Sequence, residues 1–231
     1  MFKKILHYFT PGEWLLWLGS LALISLSFAL FDRENILTLA ASLVGATSLI
    51  FCAKGNPLGQ VLMLAFSVLY GIISYTFAYY GEMITYLGMT APMAVFALAA
   101  WLRHPYKGQR AQVAVGKLEK GEWLWMLLAA AAITATFWFI LEAFHTANLV
   151  PSTVSVTTSF LAVYLTFRRS PYFALAYAAN DVVLIVLWVL ATLEDISYLS
   201  VVVCFALFLV NDLYGFWNWM RMRRRQQQSQ Q

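Results

Sequence analysis

Fourteen of the fifteen Lys and Arg residues lie at the two chain ends or in alternate gaps between long apolar segments, a pattern that constrains the fold more than any other feature of the chain. Eight apolar segments run over residues 14–31, 36–53, 58–80, 83–102, 123–141, 148–167, 172–193 and 198–220. The ends and the even-numbered gaps carry Lys3 and Lys4; Lys54; Arg103, Lys107, Arg110, Lys117 and Lys120; Arg168 and Arg169; and Arg221, Arg223, Arg224 and Arg225. The odd-numbered gaps hold Arg33 and otherwise acids: Asp32, Glu34, Glu82, Glu142, Glu194 and Asp195. Short loops rich in Lys and Arg stay on the cytoplasmic side of a membrane. The pattern therefore predicts eight crossings with both termini cytoplasmic.

Composition agrees, with 61% hydrophobic and 11% charged residues. Segments of about 18 to 23 residues at 1.5 Å per residue cross a hydrocarbon core of roughly 30 Å. Backbone polar groups in lipid must bond within the segment, so the segments are expected to be helices and the chain an all-α membrane protein. The net charge of +4 follows from the loop bias and implies no nucleic acid; the basic tail favours anionic lipid head groups. Cys52 and Cys204 are expected at different depths, which disfavours a disulfide, and two cysteines form no metal motif. The N-terminal apolar run is too long for a signal-peptide core, and no small-residue cleavage site follows it.

Short loops predict one membrane domain. The middle loop, 103–122, is polar and basic, and the Gln-rich tail after Arg225 is expected to be disordered. Glu82-Met83-Ile84-Thr85-Tyr86 resembles Glu194-Asp195-Ile196-Ser197-Tyr198 at an offset of about 112 residues, which would align segments two to four with six to eight as parallel repeats. The expected order is an extra N-terminal helix (1–35), a first three-helix repeat (36–102), a cytoplasmic loop with a linker helix (103–147), a second repeat (148–220) and a basic, Gln-rich tail (221–231). Gly12-Glu13-Trp14-Leu15 recurs as Gly121-Glu122-Trp123-Leu124, consistent with two similar interfacial helix starts or with a four-plus-four repeat.

Two acids lie within apolar segments. Asp181 and Asp212 fall about nine and eight residues from the inner ends of segments seven and eight, roughly 12–14 Å in, each preceded by asparagine (Asn180, Asn211). A carboxylate at that depth costs about 2.5–3.5 kcal/mol on insertion scales, so it should meet a partner or a polar cavity. The pair would serve a cationic or hydrogen-bonding solute or a proton relay; the alternative is an interhelical clamp. Tyr177, Asp181, Leu184 and Trp188 share one helix face. Asn211, Tyr214 or Gly215, and Asn218 form a stripe on segment eight, and Ser152, Ser155 and Ser159 form one on segment six. Ser67, Tyr70 or Gly71, and Ser74 do so on segment three. Trp14, Trp17, Trp101, Trp123, Trp125, Trp217 and Trp219 are expected in an aromatic belt at inner helix ends and Trp138 near an outer one. Trp188 is deeper and is the candidate for stacking on a flat or cationic ring. The histidines, His7, His104 and His145, lie in loops or at ends, away from any midplane metal or proton site. No Walker A loop, Gly-x-Ser-x-Gly elbow or His-Glu-x-x-His helix occurs, so ATP-driven pumping by this chain is not expected and an intramembrane enzyme would have to use Asp181 with Asp212.

Ala53-Lys54-Gly55, Tyr79-Tyr80-Gly81-Glu82-Met83, Pro92-Met93 and Trp101, with Arg168-Arg169, Asn180, Trp188 and the Asn211 helix, resemble the PnuC vitamin transporters, best known for nicotinamide riboside uptake. In architecture the 3+1+3 order with an extra helix resembles the sugar-transporting SWEET proteins. One stretch departs from the family: members carry tryptophans in the first turns of the seventh helix, where this chain has Pro171-Tyr172-Phe173-Ala174-Leu175-Ala176-Tyr177. The resemblance implies a transporter, without enzymatic activity or cofactor, that moves nicotinamide riboside downhill across a bacterial inner membrane, with trapping by a cytoplasmic kinase, and that assembles as a trimer. Thiamine or riboflavin transport and a proton-coupled solute are the alternatives. In this reading Trp188 and Tyr177 stack on the nicotinamide ring. Asn180, Asn211 and Ser155 bind the amide or ribose, Asp181 and Asp212 set the polarity, and Tyr214 joins the site from the helix-eight stripe.

Overall fold

The computed structural model describes residues 8–76, 79–146 and 148–229, so Lys3 and Lys4 lie outside the described residues. Eight helices among the described residues are long and apolar enough to cross a membrane. They are α1 Pro11–Phe31, α2 Ile36–Ala53, α3 Leu58–Thr76, α4 Tyr80–Arg103, α5 Lys120–Ala143, α6 Leu149–Phe167, α7 Tyr172–Thr192 and α8 Leu199–Gln228. A short 3-10 turn, Ile196–Tyr198, leads into α8. The charge pattern defines a basic and an acidic end of the bundle.

The repeated Gly-Glu-Trp-Leu motif marks two helix starts with the same chemistry. Glu13 and Glu122 are each the third residue of their helix and close a capping box, with Thr10 and Glu119 respectively. Each then reaches the end of the following helix. Lys54, after α2, bonds both Glu13 carboxylate oxygens at 2.9 Å, and Arg168, after α6, pairs with Glu122. A tyrosine hydroxyl donates to each glutamate as well, Tyr214 to Glu13 and Tyr164 to Glu122.

The turns after α2 and α6 also correspond. Gly55 (φ 67°) and Arg169 (φ 56°) both sit in the left-handed region, and each turn ends in proline, Pro57 or Pro171. Glycine takes that conformation freely, whereas a residue with a side chain is disfavoured in it. Across the bundle α2 packs on α3 and α8, and α6 packs on α7 and α4.

Trp101 and Trp219 depart from the expected belt. Both are fully buried, with ring centroids 5.4 Å apart. Each indole N–H crosses to another helix: Trp101 on α4 donates to the Thr166 carbonyl on α6 (3.0 Å), and Trp219 on α8 to the Cys52 carbonyl on α2 (2.8 Å). These carbonyls belong to the last turns of their helices, where each accepts a turn N–H (Gly55 to Cys52 O and Arg169 to Thr166 O, both 2.9 Å), and the buried indole takes the remaining lone pair. Trp125 and Trp217, by contrast, are exposed as belt residues should be.

The middle loop is ordered. β1 (Pro105–Tyr106) and β2 (Gln109–Val113) pair antiparallel around Lys107 and Gly108, both with positive φ as a two-residue hairpin turn requires. The chain then crosses the basic end. Val113 N–H donates to Gly55 O and Gly116 N–H to Arg169 O, each at 2.9 Å, so this strap ties together the two equivalent turns. A side chain at Gly116 would collide with the Arg168 carbonyl. The tail corrects the expectation of disorder: α8 continues to Gln228, because the Gln226 amide donates to Val113 O (3.1 Å) and accepts from Val115 N–H (2.8 Å).

α4 is not a regular helix. Residues Tyr86–Thr90 form a π turn in which Ala91 N–H reaches back to Tyr86 O. Pro92 lacks an N–H and crowds the carbonyl four residues back, and the wider turn accommodates both effects. Two apolar clusters fill the bundle. One is built on Phe66, Tyr70, Phe205 and Phe208, the other, at the basic end, on Trp101, Phe173, Trp219 and Met222.

Candidate functional site

Between the two clusters lies an internal cavity whose polar wall comes from α6, α7 and α8: Ser159, Tyr177, Asn180, Asp181 and Asp212. Its apolar wall comes from α2, α3, α4 and α8, with Phe66, Tyr86, Phe205 and Phe208 contributing rings and Thr90 a hydroxyl. The space between these atoms is about 410 Å³, but side chains divide it so that roughly one or two waters fit at once. Helical spacing puts Tyr177, Asn180 and Asp181 on neighbouring faces of α7, and Asp212 meets Asp181 across the α7–α8 contact.

Asn180 is held by its oxygen. Its Oδ1 accepts from the hydroxyls of Thr158 (2.8 Å), Ser159 (3.1 Å) and Ser155 (3.3 Å), all on α6. Loading the carbonyl in this way leaves the amide NH2 to donate elsewhere. Asp181 and Asp212 are each 4% exposed, and Asp181 Oδ2 has no hydrogen-bond partner among the described residues. No Lys, Arg or His among the described residues lines the cavity. Acid groups buried without a basic neighbour attract a cation or a hydrogen-bond donor and oppose an anion. No group of three or more metal-ligating side chains occurs among the described residues.

The other residues singled out from the sequence are distributed elsewhere. Ser155 stands behind Asn180 and positions it. Trp188 lies two turns from Asp181 towards the acidic end, donates its indole N–H to Tyr70 OH (2.9 Å) and lines a separate pocket at that end with Tyr79 and Glu82. Asn211 turns to α1, donating to Ser20 Oγ (2.9 Å) and Leu207 O, and so acts as an interhelical clamp. Tyr214 also faces α1, through Glu13. Neither of these two side chains lines the cavity.

Phe66, Tyr86, Thr90, Phe205 and Phe208 were not singled out from the sequence. The signal available for Tyr86 and Thr90 was Pro92, since a proline inside an apolar helix distorts the preceding turn. Nothing distinguishes Phe66, Phe205 and Phe208 from lipid-facing aromatics in the sequence.

The comparisons with known proteins agree with one another. A family model described as nicotinamide mononucleotide transporter matches residues 35–221. The nicotinamide riboside transporter PnuC of Neisseria mucosa is 28% identical over 202 residues, covering 84% of this chain and 76% of that protein. The crystal structure of the vitamin B3 transporter PnuC superposes with a TM-score of 0.81 at 25% identity, over 94% of each chain. The eight-helix bundle is thus shared with a solved transporter, and the match from the second helix to the last makes this chain a member of the nicotinamide mononucleotide transporter family.

Proposed function

We propose that this multi-pass membrane protein carries nicotinamide riboside, with Asp181, Asp212, Asn180 and Tyr177 forming the polar side of its binding cavity. The observation that carries this reading is the acidic lining of the cavity. Two carboxyl groups and a set of aromatic rings enclose it, and no basic side chain among the described residues lines it. The nicotinamide ring of the riboside is a pyridinium cation, which suits both the acids and the ring faces. The mononucleotide in the family's name adds a phosphate that would meet carboxyl groups and no cation, so the riboside fits this cavity better. The cavity is too narrow for a nucleoside in this conformation, and Phe66, Tyr86, Phe205 and Phe208 must part to admit one. Thiamine also carries a cationic ring, and the tyrosines at the start of α7 in place of the family's tryptophans keep it as the second reading.

Transport is downhill, with phosphorylation in the cytoplasm trapping the riboside. The protein sits in the bacterial inner membrane as a trimer, and its basic end faces the cytoplasm. Helices α2–α4 and α6–α8 are parallel repeats, and the paired Glu13–Lys54 and Glu122–Arg168 bridges support extending the correspondence to α1 and α5. Uptake of labelled nicotinamide riboside into proteoliposomes tests the function. The reading expects saturable uptake that persists with an uncoupler present, competed poorly by the mononucleotide. Uptake that collapses with the proton gradient would contradict facilitation.

A further inference from the structure

Glu82 plays no part in the cavity at Asp181, yet it is the most unusual side chain at the acidic end. It lies in the first turn of α4 and is 5% exposed. Its Oε2 has no hydrogen-bond partner among the described residues. It lines a pocket with Tyr79, Trp188, Leu187, Ser152 and Thr146 that admits roughly one water in this conformation, so the rings must part to take a ligand, and no Lys, Arg or His among the described residues takes part in it. The aromatic part of that wall is organised: Tyr79 and Trp188 meet edge to face with centroids 5.2 Å apart, and Tyr198 lies 5.5 Å from Trp188. Ser155, which donates to Asn180, also neighbours Glu82, so this pocket lies close to the wall of the cavity.

A carboxyl group without a basic partner in apolar surroundings is expensive to keep there. Beside ring faces, it is also the combination that recognises a flat organic cation, because the acid supplies charge and the rings supply their negative faces. A neutral sugar or an anion gains nothing from the pair. The geometry points to a second binding site, formed by Glu82, Tyr79 and Trp188, that takes the pyridinium ring of the substrate at the acidic end before it passes to the cavity at Asp181. This site rests on the riboside reading of the cargo. It gives Trp188 the ring-stacking role suggested by its depth in the sequence, but in a separate chamber from the Asp181 face.

The test uses the full chain in two assays: initial uptake of nicotinamide riboside at limiting concentration in proteoliposomes, and calorimetric Kd in detergent. Wild type is compared with Glu82→Gln, which keeps the shape and removes the charge, and with Glu82→Asp, which keeps the charge. Loss of a desolvated cation contact should lower limiting uptake by at least about tenfold in the Gln variant. The Asp variant should recover most of the rate, and the Kd of the intact cavity should stay within about threefold, well under 1 kcal/mol. Unchanged uptake in Glu82→Gln overturns the site, as does a Kd that rises in step with the loss of uptake, because Glu82 would then be supporting the cavity. An Asp variant as slow as the Gln variant overturns it too, since charge would not be the property that matters. Wild-type protein that neither binds nor moves the riboside overturns the substrate reading and this site together.

Discussion

Asn180 and Asn211 occupy matching positions in two Asn-Asp pairs, and the structure gives them opposite duties. Asn180 has its oxygen fixed by three hydroxyls and its amide group left to donate, so it is placed to bind. Asn211 spends its amide on Ser20 and the Leu207 carbonyl. We therefore expect Asn180→Ala to weaken riboside binding about tenfold, or 1.4 kcal/mol, and also to cost stability, because three α6 hydroxyls lose their acceptor. Asn211→Ala should cost about 0.6–1.7 kcal/mol of stability alone, as interhelical hydrogen bonds in membranes do, with Kd nearly unchanged. Thermal unfolding and calorimetry on both variants check the split; equal affinity losses would show that both face the ligand.

The acids were legible in the sequence because a carboxyl group in an apolar run demands an explanation. The direction in which Asn211 points was not, since adjacent residues on a helix lie about 100° apart and only packing decides which one faces a neighbour. The rings of Phe66, Phe205 and Phe208 were illegible for a related reason: in a membrane protein the outside is as apolar as the inside.

Among the elements, the basic end holds the tightest closure. The indoles of Trp101 and Trp219 reach carbonyls at the ends of α6 and α2, and the strap from Val113 to Gly116 joins the turns at Gly55 and Arg169. Opening the cavity towards that end must break these bonds. Trp219→Phe keeps a ring and deletes the N–H that holds Cys52 O. A loss of about 1 kcal/mol should raise the population of open molecules about fivefold. Cys52, buried and unoxidised in the closed bundle, reports that opening. Its labelling by a maleimide should speed up by that factor in Trp219→Phe, and an unchanged rate would mean that the indole does not hold the end shut. Aromatic residues near helix ends read as a membrane belt in the sequence, and for Trp125 and Trp217 that is where they lie. Trp101 and Trp219 could be told apart only by the partner carbonyls, which come from residues 65 and 167 positions away in the chain.

The whole molecule shows how far a charge pattern reaches. Apolar segments and the charges between them marked eight crossings, and eight spanning helices are present among the described residues, with ends within a few residues of those segments except at α8, which runs on to Gln228. Likeness between the two halves is visible mainly at turns and caps, where Glu13 and Glu122, Lys54 and Arg168, and Gly55 and Arg169 play similar parts, while the cavity is asymmetric, with both acids on α7 and α8. Orientation is testable directly. In intact cells an impermeant maleimide should label Glu194→Cys at the acidic end and should reach Lys107→Cys, at the hairpin tip, only after permeabilisation. The opposite pattern would invert the topology.

The most direct measurement of the central claim is a calorimetric titration of the purified protein with nicotinamide riboside, alongside the mononucleotide, thiamine and riboflavin. A cavity with two carboxyl groups, aromatic rings and no basic side chain predicts micromolar or tighter binding of the riboside and at least about tenfold weaker binding of the mononucleotide, a difference of 1.4 kcal/mol or more. Equal or tighter binding of the mononucleotide, or heat from thiamine or riboflavin with none from the riboside, would contradict it.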